Sequence, residues 1–248
     1  MLKHLPNAIT SLNLLCGCVA VLFAISGDLI ATSVFAILGI FFDFFDGLAA
    51  RLLNAQSKLG LQLDSLADMI TSGLVPGIVM VKLMEKAYGV TALPQSASAK
   101  GTLEWDSLEF AFDPLIGLLI VVASAYRLAK FNIDTRQTDS FIGLPTPANT
   151  LLILSLAVIT VLYPEHWVSQ WLQNPWVLIG ITVASCILLN AEIRLFALKF
   201  KTWDVKSNAK RYIFLLLCLV ALVLLKFLAI PLIIVLYIVM SLLWKEPA

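Results

Sequence analysis

Long apolar runs separated by short polar turns form the pattern of this chain. A helix that crosses a bilayer needs about 20 predominantly apolar residues, and several runs approach that length. The pattern therefore predicts an all-α, polytopic membrane helix bundle of about eight transmembrane helices. The predicted spans are residues 8–26, 29–51, 61–86, 112–131, 147–163, 174–192, 211–226 and 228–244.

Composition agrees with a membrane environment. Apolar residues make up 60% of the chain and charged residues 13%, against roughly 25% charged residues in soluble domains. We predict one membrane domain over residues 1–248, with a core of roughly 1–192 and two additional helices at roughly 211–244. The net charge of +1 says nothing further, and no nucleic-acid partner is expected.

The positions of the basic residues predict the orientation. If the N-terminus is cytoplasmic, only four of the 17 lysines and arginines fall on or near the outer side. Cytoplasmic loops of membrane proteins carry such an excess of Lys and Arg. The sequence thus predicts a multi-pass protein of the cell (inner) membrane with a cytoplasmic N-terminus. The four outer residues are Lys82, Lys86, Lys100 and Lys226.

One stretch places four carboxylates in or beside apolar runs, where a charged side chain costs about 2.5 to 3.5 kcal/mol at the centre of a span. Asp43 and Asp46 are three residues apart, and Asp64 and Asp68 are four apart. Each pair therefore lies along one helix face. A polar turn joins the pairs, so antiparallel helices would bring all four together near the cytoplasmic surface.

Converging carboxylates repel each other, and hard cations with oxygen ligands relieve that repulsion. Mg²⁺ suits such a site because it takes one or two carboxylates and fills its other positions with water and phosphate. An alternative is an interior salt-bridge cluster with Arg51 and Lys58, although two cations cannot neutralise four anions. A second alternative is a cation transporter, which predicts carboxylates at mid-membrane and an inverted repeat; neither is apparent.

The complete spacing is D-x-x-D-G-x-x-A-R, eight residues, then G-x-x-x-D-x-x-x-D. It resembles the signature of the CDP-alcohol phosphotransferase family, membrane enzymes that join a CDP-activated group to an alcohol. The resemblance implies two Mg²⁺ or Mn²⁺ ions held by the four aspartates, Asp68 as the base, and a homodimer. The eight matching positions are Asp43, Asp46, Gly47, Ala50, Arg51, Gly60, Asp64 and Asp68.

The same resemblance implies contacts to CDP-diacylglycerol. Pro6, Asn7 and Thr10 match a P-N-x-x-T segment of the family, although the residues alone equally suggest helix capping. Gly47 permits close approach of a base or phosphate, and Arg51 can fork onto phosphate oxygens. The predicted CDP-diacylglycerol contacts are Asn7, Thr10, Gly47, Ala50, Arg51, Ser57 and Gly60.

A second patch, residues 126–148, is similar to the R-L-A-R-F-N and F-x-G-L-P-x-P-A segments of the phosphatidylserine synthase branch of this family. It implies L-serine as the acceptor alcohol. Arg127, helped by Arg136 or Arg194, is the predicted partner of the serine carboxylate, while Lys130 departs from the branch's usual arginine. Ordinary positive-inside bias also accounts for these cations. The alternative acceptors are glycerol phosphate and an inositol phosphate, whose sites need more clustered basic residues.

The third predicted span contains a Pro-Gly pair at Pro76 and Gly77. Such a pair inside a span usually kinks the helix. The kink would either open a lateral groove for acyl chains or serve as a packing bend.

Overall fold

A computed structural model describes residues 4–92, 111–134, 141–195, 204 and 208–243. The first half of the described chain consists of long helices joined by short turns. Most of the predicted loop between the third and fourth spans lies outside the described residues. The elements are α1 (Leu5–Ser26), α2 (Leu29–Leu52), α3 (Lys58–Asp68), a π-helical turn (Met69–Leu74), α4 (Val75–Tyr88), a 3₁₀ turn (Asp113–Leu118) and α5 (Leu119–Ile133).

The second half adds five helices and a pair of two-residue strands. Phe141 pairs with Leu195 and Ile142 with Arg194 in an antiparallel ladder, which tethers the segment before α6 to the segment after α8. The elements are β1 (Phe141–Ile142), α6 (Thr146–Leu162), α7 (Trp167–Trp171), α8 (Pro175–Asn190), β2 (Arg194–Leu195), α9 (Ala209–Leu225), a 3₁₀ turn (Lys226–Leu228) and α10 (Ala229–Leu243).

The predicted all-α membrane bundle is confirmed. Five helical runs are long and apolar enough to cross a membrane, and α6 and α8 are shorter apolar helices. One of the five, residues 211–243, turns back at Lys226. Phe214 on α9 packs against Tyr237 on α10 with ring centroids 5.9 Å apart. The described chain thus holds eight apolar helical segments at the eight predicted places; their number of membrane crossings stays a prediction.

Small side chains hold α1 and α2 close together. The two helices form a hairpin through Gly27, whose φ of 86° needs a residue without a Cβ, and Asp28 caps α2 by accepting from Ala31 N. Ala20, Ala24 and Ala36 are fully buried in the main core cluster. Large apolar side chains such as those of Leu15 and Leu22 instead lie exposed on the outside of the bundle, where lipid would cover them.

The third helical run is irregular before its proline, and the irregularity is a π turn. Pro76 has no N–H to donate within the helix, and the backbone N–H of Val75 bonds five residues back to Ile70 O. Thr150 Oγ1 on α6 donates to Ser72 O at 3.0 Å. Gly77 packs against Val121 of α5, where an added Cβ would lie 2.4 Å from a Val121 methyl carbon. Gly77 therefore allows α4 to pack closely against α5.

Candidate active site

A five-residue turn reverses the chain after α2, so that α3 packs against α1 and the acidic residues of α2 and α3 come together. Asn54 takes a left-handed backbone conformation with φ 47°, a conformation that asparagine tolerates better than most residues. Ser57 then begins α3 as its N-cap, because its Oγ accepts from Gly60 N at 2.9 Å. The polar turn predicted from the sequence is thus what reverses the chain.

Three of the four predicted carboxylates converge on one point. Oxygen atoms of Asp43, Asp46 and Asp64 all lie within 4.8 Å of one another. The carboxyl group of Asp68 lies next to that of Asp43, and its Oδ1 accepts from Asn13 Nδ2 at 3.3 Å. The structure therefore brings the four aspartates together, with Asp68 on the side nearest α1.

No lysine or arginine neutralises this cluster within the described part of the chain. The two ion pairs found there are Lys82 with Glu85 and Lys130 with Glu192. Arg51 instead curls back along α2, where its Nε donates to Gly47 O at 3.0 Å. The alternative of an interior salt-bridge cluster is therefore wrong for the described residues.

The carboxylates fit a hard cation. Asp46 is only 6% exposed, and within the described residues its buried Oδ2 has no hydrogen-bond partner. A buried polar atom without a partner is costly, and a bound cation removes that cost. Three carboxylates within 4.8 Å supply the oxygen ligands that Mg²⁺ and Mn²⁺ prefer, so the cluster is a candidate metal site.

A pocket of about 560 Å³ opens beside the carboxylates, between α1, the end of α2 and the start of α3. Its lining includes all seven of the residues predicted to contact CDP-diacylglycerol, together with Asp46 and Asp64. Contact with the substrate itself stays a prediction. The lining residues are Pro6, Asn7, Thr10, Asp46, Gly47, Ala50, Arg51, Ala55, Gln56, Ser57, Lys58, Gly60, Leu61 and Asp64.

Glycines leave the space that this pocket occupies. A Cβ added at Gly47 would meet no atom within 4 Å, so this stretch of backbone is open to a ligand. A Cβ at Gly60 would lie 3.1 Å from both Asn7 Oδ1 and Ser57 Oγ. Gly60 therefore allows α1 and the N-terminus of α3 to approach each other at the pocket.

The helix-capping interpretation of Asn7 and Thr10 is wrong. Helix α1 begins at Leu5, its N-cap residue His4 makes no side-chain cap, and both polar residues lie inside the helix. Thr10 Oγ1 donates to Pro6 O at 3.0 Å. The Asn7 and Thr10 side chains both border the pocket, so their place in the sequence is better explained by the site than by capping.

Sequence reasoning missed several residues of the site. Gln56 and Lys58 line the pocket, as do Ala55 and Leu61, and their position in a polar turn directly after Arg51 was the available signal. Asn13 was also missed, although it is a fully buried polar residue six positions after Asn7 in a mainly apolar helix. A polar residue at that depth needs a partner, and here the partner is Asp68.

The described basic residues predicted to bind serine lie outside the pocket, and Ile142, to which Arg127 donates, pairs with Arg194 in the two-strand ladder. Arg127 is buried on α5, and its Nη1 donates to Ile142 O at 2.8 Å and to Leu189 O at 3.4 Å. Arg194 is exposed on β2, and neither residue lines the pocket. Arg136 lies outside the described residues. Lys130 pairs with Glu192 at 3.4 Å.

Taken together, the apolar helix bundle, the converging carboxylates and the pocket beside them define a membrane protein with a candidate metal site that borders a pocket. The sequence model of the CDP-alcohol phosphatidyltransferase family matches residues 3–188, which include the whole carboxylate cluster and the pocket. The chain belongs to the CDP-alcohol phosphatidyltransferase family.

Several relatives within this family carry the name CDP-diacylglycerol–serine O-phosphatidyltransferase. One from Bacillus subtilis is 34% identical over 160 residues, which cover 63% of this chain and 76% of the relative. One from Helicobacter pylori is 28% identical over 217 residues, 87% of this chain and 81% of the relative. One from Mycobacterium tuberculosis is 29% identical over 184 residues, 71% of this chain and 57% of the relative.

Proposed function

We propose that this protein transfers the phosphatidyl group of CDP-diacylglycerol to the hydroxyl of L-serine, which gives phosphatidylserine and CMP. The observation that carries the proposal is the pocket of about 560 Å³ that borders both the carboxylate cluster and the residues matching the family's nucleotide contacts. The name shared by the relatives from three bacterial genera favours serine as the acceptor.

Asp43, Asp46, Asp64 and Asp68 are the residues that would hold the metal, two Mg²⁺ or Mn²⁺ ions by the family resemblance. Bound divalent ions neutralise the charge of a pyrophosphate and of its leaving group. The protein's own residues would hold the substrate in place beside the carboxylates. Asn7, Thr10 and Ser57 offer polar groups along the pocket, while Arg51 and Lys58 supply positive charge at its rim. In this arrangement the pyrophosphate would lie between the rim and the carboxylates.

Asp68 is the proposed general base. The serine oxygen forms a bond to the phosphorus that carries diacylglycerol, and the bond from that phosphorus to the oxygen of CMP breaks. The proton of the serine hydroxyl passes to the Asp68 carboxylate. General bases of this kind contribute about 10²- to 10⁴-fold to rate. The contact between Asp68 and Asn13 is consistent with a fixed carboxylate.

The proposed cations for the serine carboxylate are Arg127, Arg136 and Arg194. One nitrogen of Arg127 is already engaged by two backbone carbonyls. A direct contact between Arg127 and serine therefore has to use its remaining guanidinium N–H groups, of which a guanidinium has five.

The protein is proposed to work as a homodimer in the cell (inner) membrane, as one domain spanning residues 1–248, with its site facing the cytoplasm. The excess of lysine and arginine on that side supports the orientation.

The test is an acceptor comparison with purified protein in detergent. CDP-diacylglycerol is supplied with Mg²⁺ and with L-serine, glycerol phosphate or inositol phosphate, and CMP release and the lipid product are both measured. We expect CMP release and phosphatidylserine with L-serine, and no CMP release with glycerol phosphate or inositol phosphate. CMP release with glycerol phosphate and none with serine would move the protein to another acceptor class within the family.

A matched variant separates enzyme from transporter. Asp68→Asn keeps the size of the side chain and removes the proposed base, so CMP release should fall by at least about 10²-fold. Its thermal unfolding midpoint should stay near that of the wild type. A folded Asp68→Asn variant with undiminished CMP release contradicts the role assigned to Asp68.

A further inference from the structure

The carboxylate of Asp68 is tethered to a helix other than its own. Asn13 Nδ2 on α1 donates to Asp68 Oδ1 at 3.3 Å. Asn13 is fully buried, whereas Asp68 is partly exposed. An amide at this depth, with a carboxylate as its partner, restricts the directions in which the carboxylate can point.

A second side chain fixes which end of the Asn13 amide faces Asp68. Thr71 Oγ1 lies 2.7 Å from Asn13 Oδ1 and 3.2 Å from the Asn13 backbone oxygen, and it donates to these acceptors. A side-chain amide has one acceptor oxygen and one donor nitrogen. Because Thr71 takes the oxygen, the NH₂ group is directed at Asp68. The reverse orientation would place the amide oxygen against a carboxylate oxygen.

Two glycines close the space around this pair. A Cβ on Gly17 of α1 would lie 2.5 Å from Thr71 Oγ1, and one on Gly39 of α2 would lie 2.6 Å from Thr71 Cγ2. Asn13 and Thr71 are both 0% exposed. Side chains packed this tightly have few alternative rotamers, so the hydrogen-bonded chain from Thr71 through Asn13 to Asp68 is rigid.

The π turn starts at the residue directly after Asp68 and contains Thr71. π turns are rare in proteins overall, but many of those that occur lie at functional sites. Here Thr150 on α6 bonds to Ser72 O and so supports the turn from outside. The turn therefore presents Thr71 to α1, where it contacts Asn13.

We propose that Asn13 and Thr71 are positioning residues that orient Asp68 to accept the proton of the acceptor alcohol. The proposal rests on the proposed function, in which Asp68 is the base. Neither residue lines the pocket, so their removal should affect the chemical step and spare the binding of CDP-diacylglycerol. A general base acts only when its lone pair is within hydrogen-bond reach of the proton. The orientation of the Asp68 carboxylate determines whether its oxygen reaches the hydroxyl proton.

The experiment compares Thr71→Val, which keeps the shape and removes the hydroxyl, with Thr71→Ser, which keeps the hydroxyl. Partners that orient a site residue typically contribute about 10- to 100-fold, and we expect that loss in kcat for Thr71→Val. KM for CDP-diacylglycerol should change by less than roughly twofold, because the interaction removed acts after binding. Thr71→Ser should restore most of kcat.

Thr182→Val is the matched control. Thr182 is also 0% exposed, and its Oγ1 donates only within its own helix, to Leu178 O at 2.9 Å. The same substitution there should leave kcat unchanged. Thermal unfolding midpoints of all variants, with and without Mg²⁺, provide a readout independent of turnover, and the Mg²⁺-induced shift should persist in Thr71→Val because Asp43, Asp46 and Asp64 are intact.

A double-mutant cycle tests whether Thr71 acts through Asn13. If it does, Asn13→Ala with Thr71→Val should lose no more kcat than Asn13→Ala alone. Additive losses would overturn the proposal, as would a Thr71→Val variant as active as Thr182→Val or a Thr71→Ser variant as impaired as Thr71→Val.

The acceptor panel separates this proposal from the proposed function. A wild type that releases no CMP with any of the three acceptors overturns both. A wild type that uses glycerol phosphate in place of serine overturns only the serine assignment, and the same variants then test the positioning role with that acceptor. A fully active wild type with an indifferent Thr71→Val overturns only the positioning role.

Discussion

Buried charged side chains lie at two places in the described helices, and their surroundings differ. Arg127 is buried on α5, and backbone carbonyls of Ile142 and Leu189 accept its hydrogen bonds. At the other place, oxygens of Asp43, Asp46 and Asp64 lie within 4.8 Å of one another. Neither ion pair of the described chain involves those carboxylates. The arginine finds its partners within the protein, whereas the carboxylates need a ligand from outside.

The difference lies in whether the described protein supplies partners for the charge. An isolated buried charge is costly unless it is paired and hydrogen-bonded, and the carbonyls around Arg127 meet that requirement. Carboxylates that repel each other are instead held together at a cost in stability. Such an arrangement is useful only if a cation or a substrate relieves the repulsion when it binds. The two places should therefore respond to mutation in opposite ways.

The largest effect is expected for Asp46→Asn. Asp46 is buried with an unpartnered Oδ2, so the amide removes a proposed metal ligand and one repelling charge. Metal ions supply several kcal/mol of transition-state stabilisation, and about 4 kcal/mol corresponds to about 10³-fold. We expect CMP release to fall by about 10³-fold, while the thermal unfolding midpoint measured in EDTA stays equal or rises.

Asp28→Asn is the control for this substitution. Asp28 lies at the other end of α2, where it caps the helix by accepting from Ala31 N, and asparagine caps a helix about as well as aspartate. Activity and stability should both match the wild type. If Asp46→Asn unfolds the protein or leaves CMP release intact, the cluster is not a metal site of the kind described.

Arg127→Leu should show the opposite pattern. The substitution removes the guanidinium that donates to Ile142 O and Leu189 O, and a hydrogen bond from a charged group contributes about 1.5 to 3 kcal/mol. We expect the free energy of unfolding to drop by about 3 kcal/mol, measured by denaturant titration in detergent. Lys130→Ala, which breaks the exposed pair with Glu192, should cost less than about 1 kcal/mol. Equal losses for the two variants would contradict the structural role of Arg127.

The fold was predictable from the sequence where it depends on the length of apolar runs. Runs of apolar residues located the eight helical segments, because hydrophobic length is a direct consequence of bilayer thickness. The π turn could not be found that way. Thr150, a residue on another helix, donates to Ser72 O within the turn. A local sequence pattern does not reveal such a partner.

The site was predictable where chemistry depends on spacing within one helix. Asp43 and Asp46, or Asp64 and Asp68, share a helix face whatever the rest of the chain does. Asn13 belongs to the site through a contact across 55 positions of sequence, which a single sequence does not reveal. Arg127 shows the same limit, since its described hydrogen bonds go to backbone oxygens 15 and 62 positions away, which no local pattern indicates, and its contact with serine stays a prediction.

Mg²⁺ should stabilise the wild type through the acidic cluster. A ligand that binds only the folded state stabilises it by RT ln(1 + [L]/Kd), which is about 1.4 kcal/mol at a tenfold excess over Kd. We expect the thermal unfolding midpoint to rise on addition of Mg²⁺ and to fall again with EDTA. Arg127→Leu should keep this shift and Asp46→Asn should lose it. A shift that survives in a variant lacking both Asp43 and Asp46 carboxylates would place the ion elsewhere.

The smallest effect is expected for Gly47→Ala. A Cβ there meets no protein atom within 4 Å, and alanine in a helix interior is more stable than glycine by about 0.5 to 1 kcal/mol. The unfolding midpoint should therefore stay equal or rise. The added methyl projects into the pocket that Gly47 lines, and a penalty of about 1 kcal/mol on substrate binding corresponds to a roughly fivefold higher KM for CDP-diacylglycerol.

Ala50→Gly on the same helix is the reciprocal change, since it removes a methyl from the pocket lining and should lower stability with little rise in KM. If both variants change stability and leave KM unaltered, the open face of α2 is a lipid-covered surface, and the substrate does not approach the protein there.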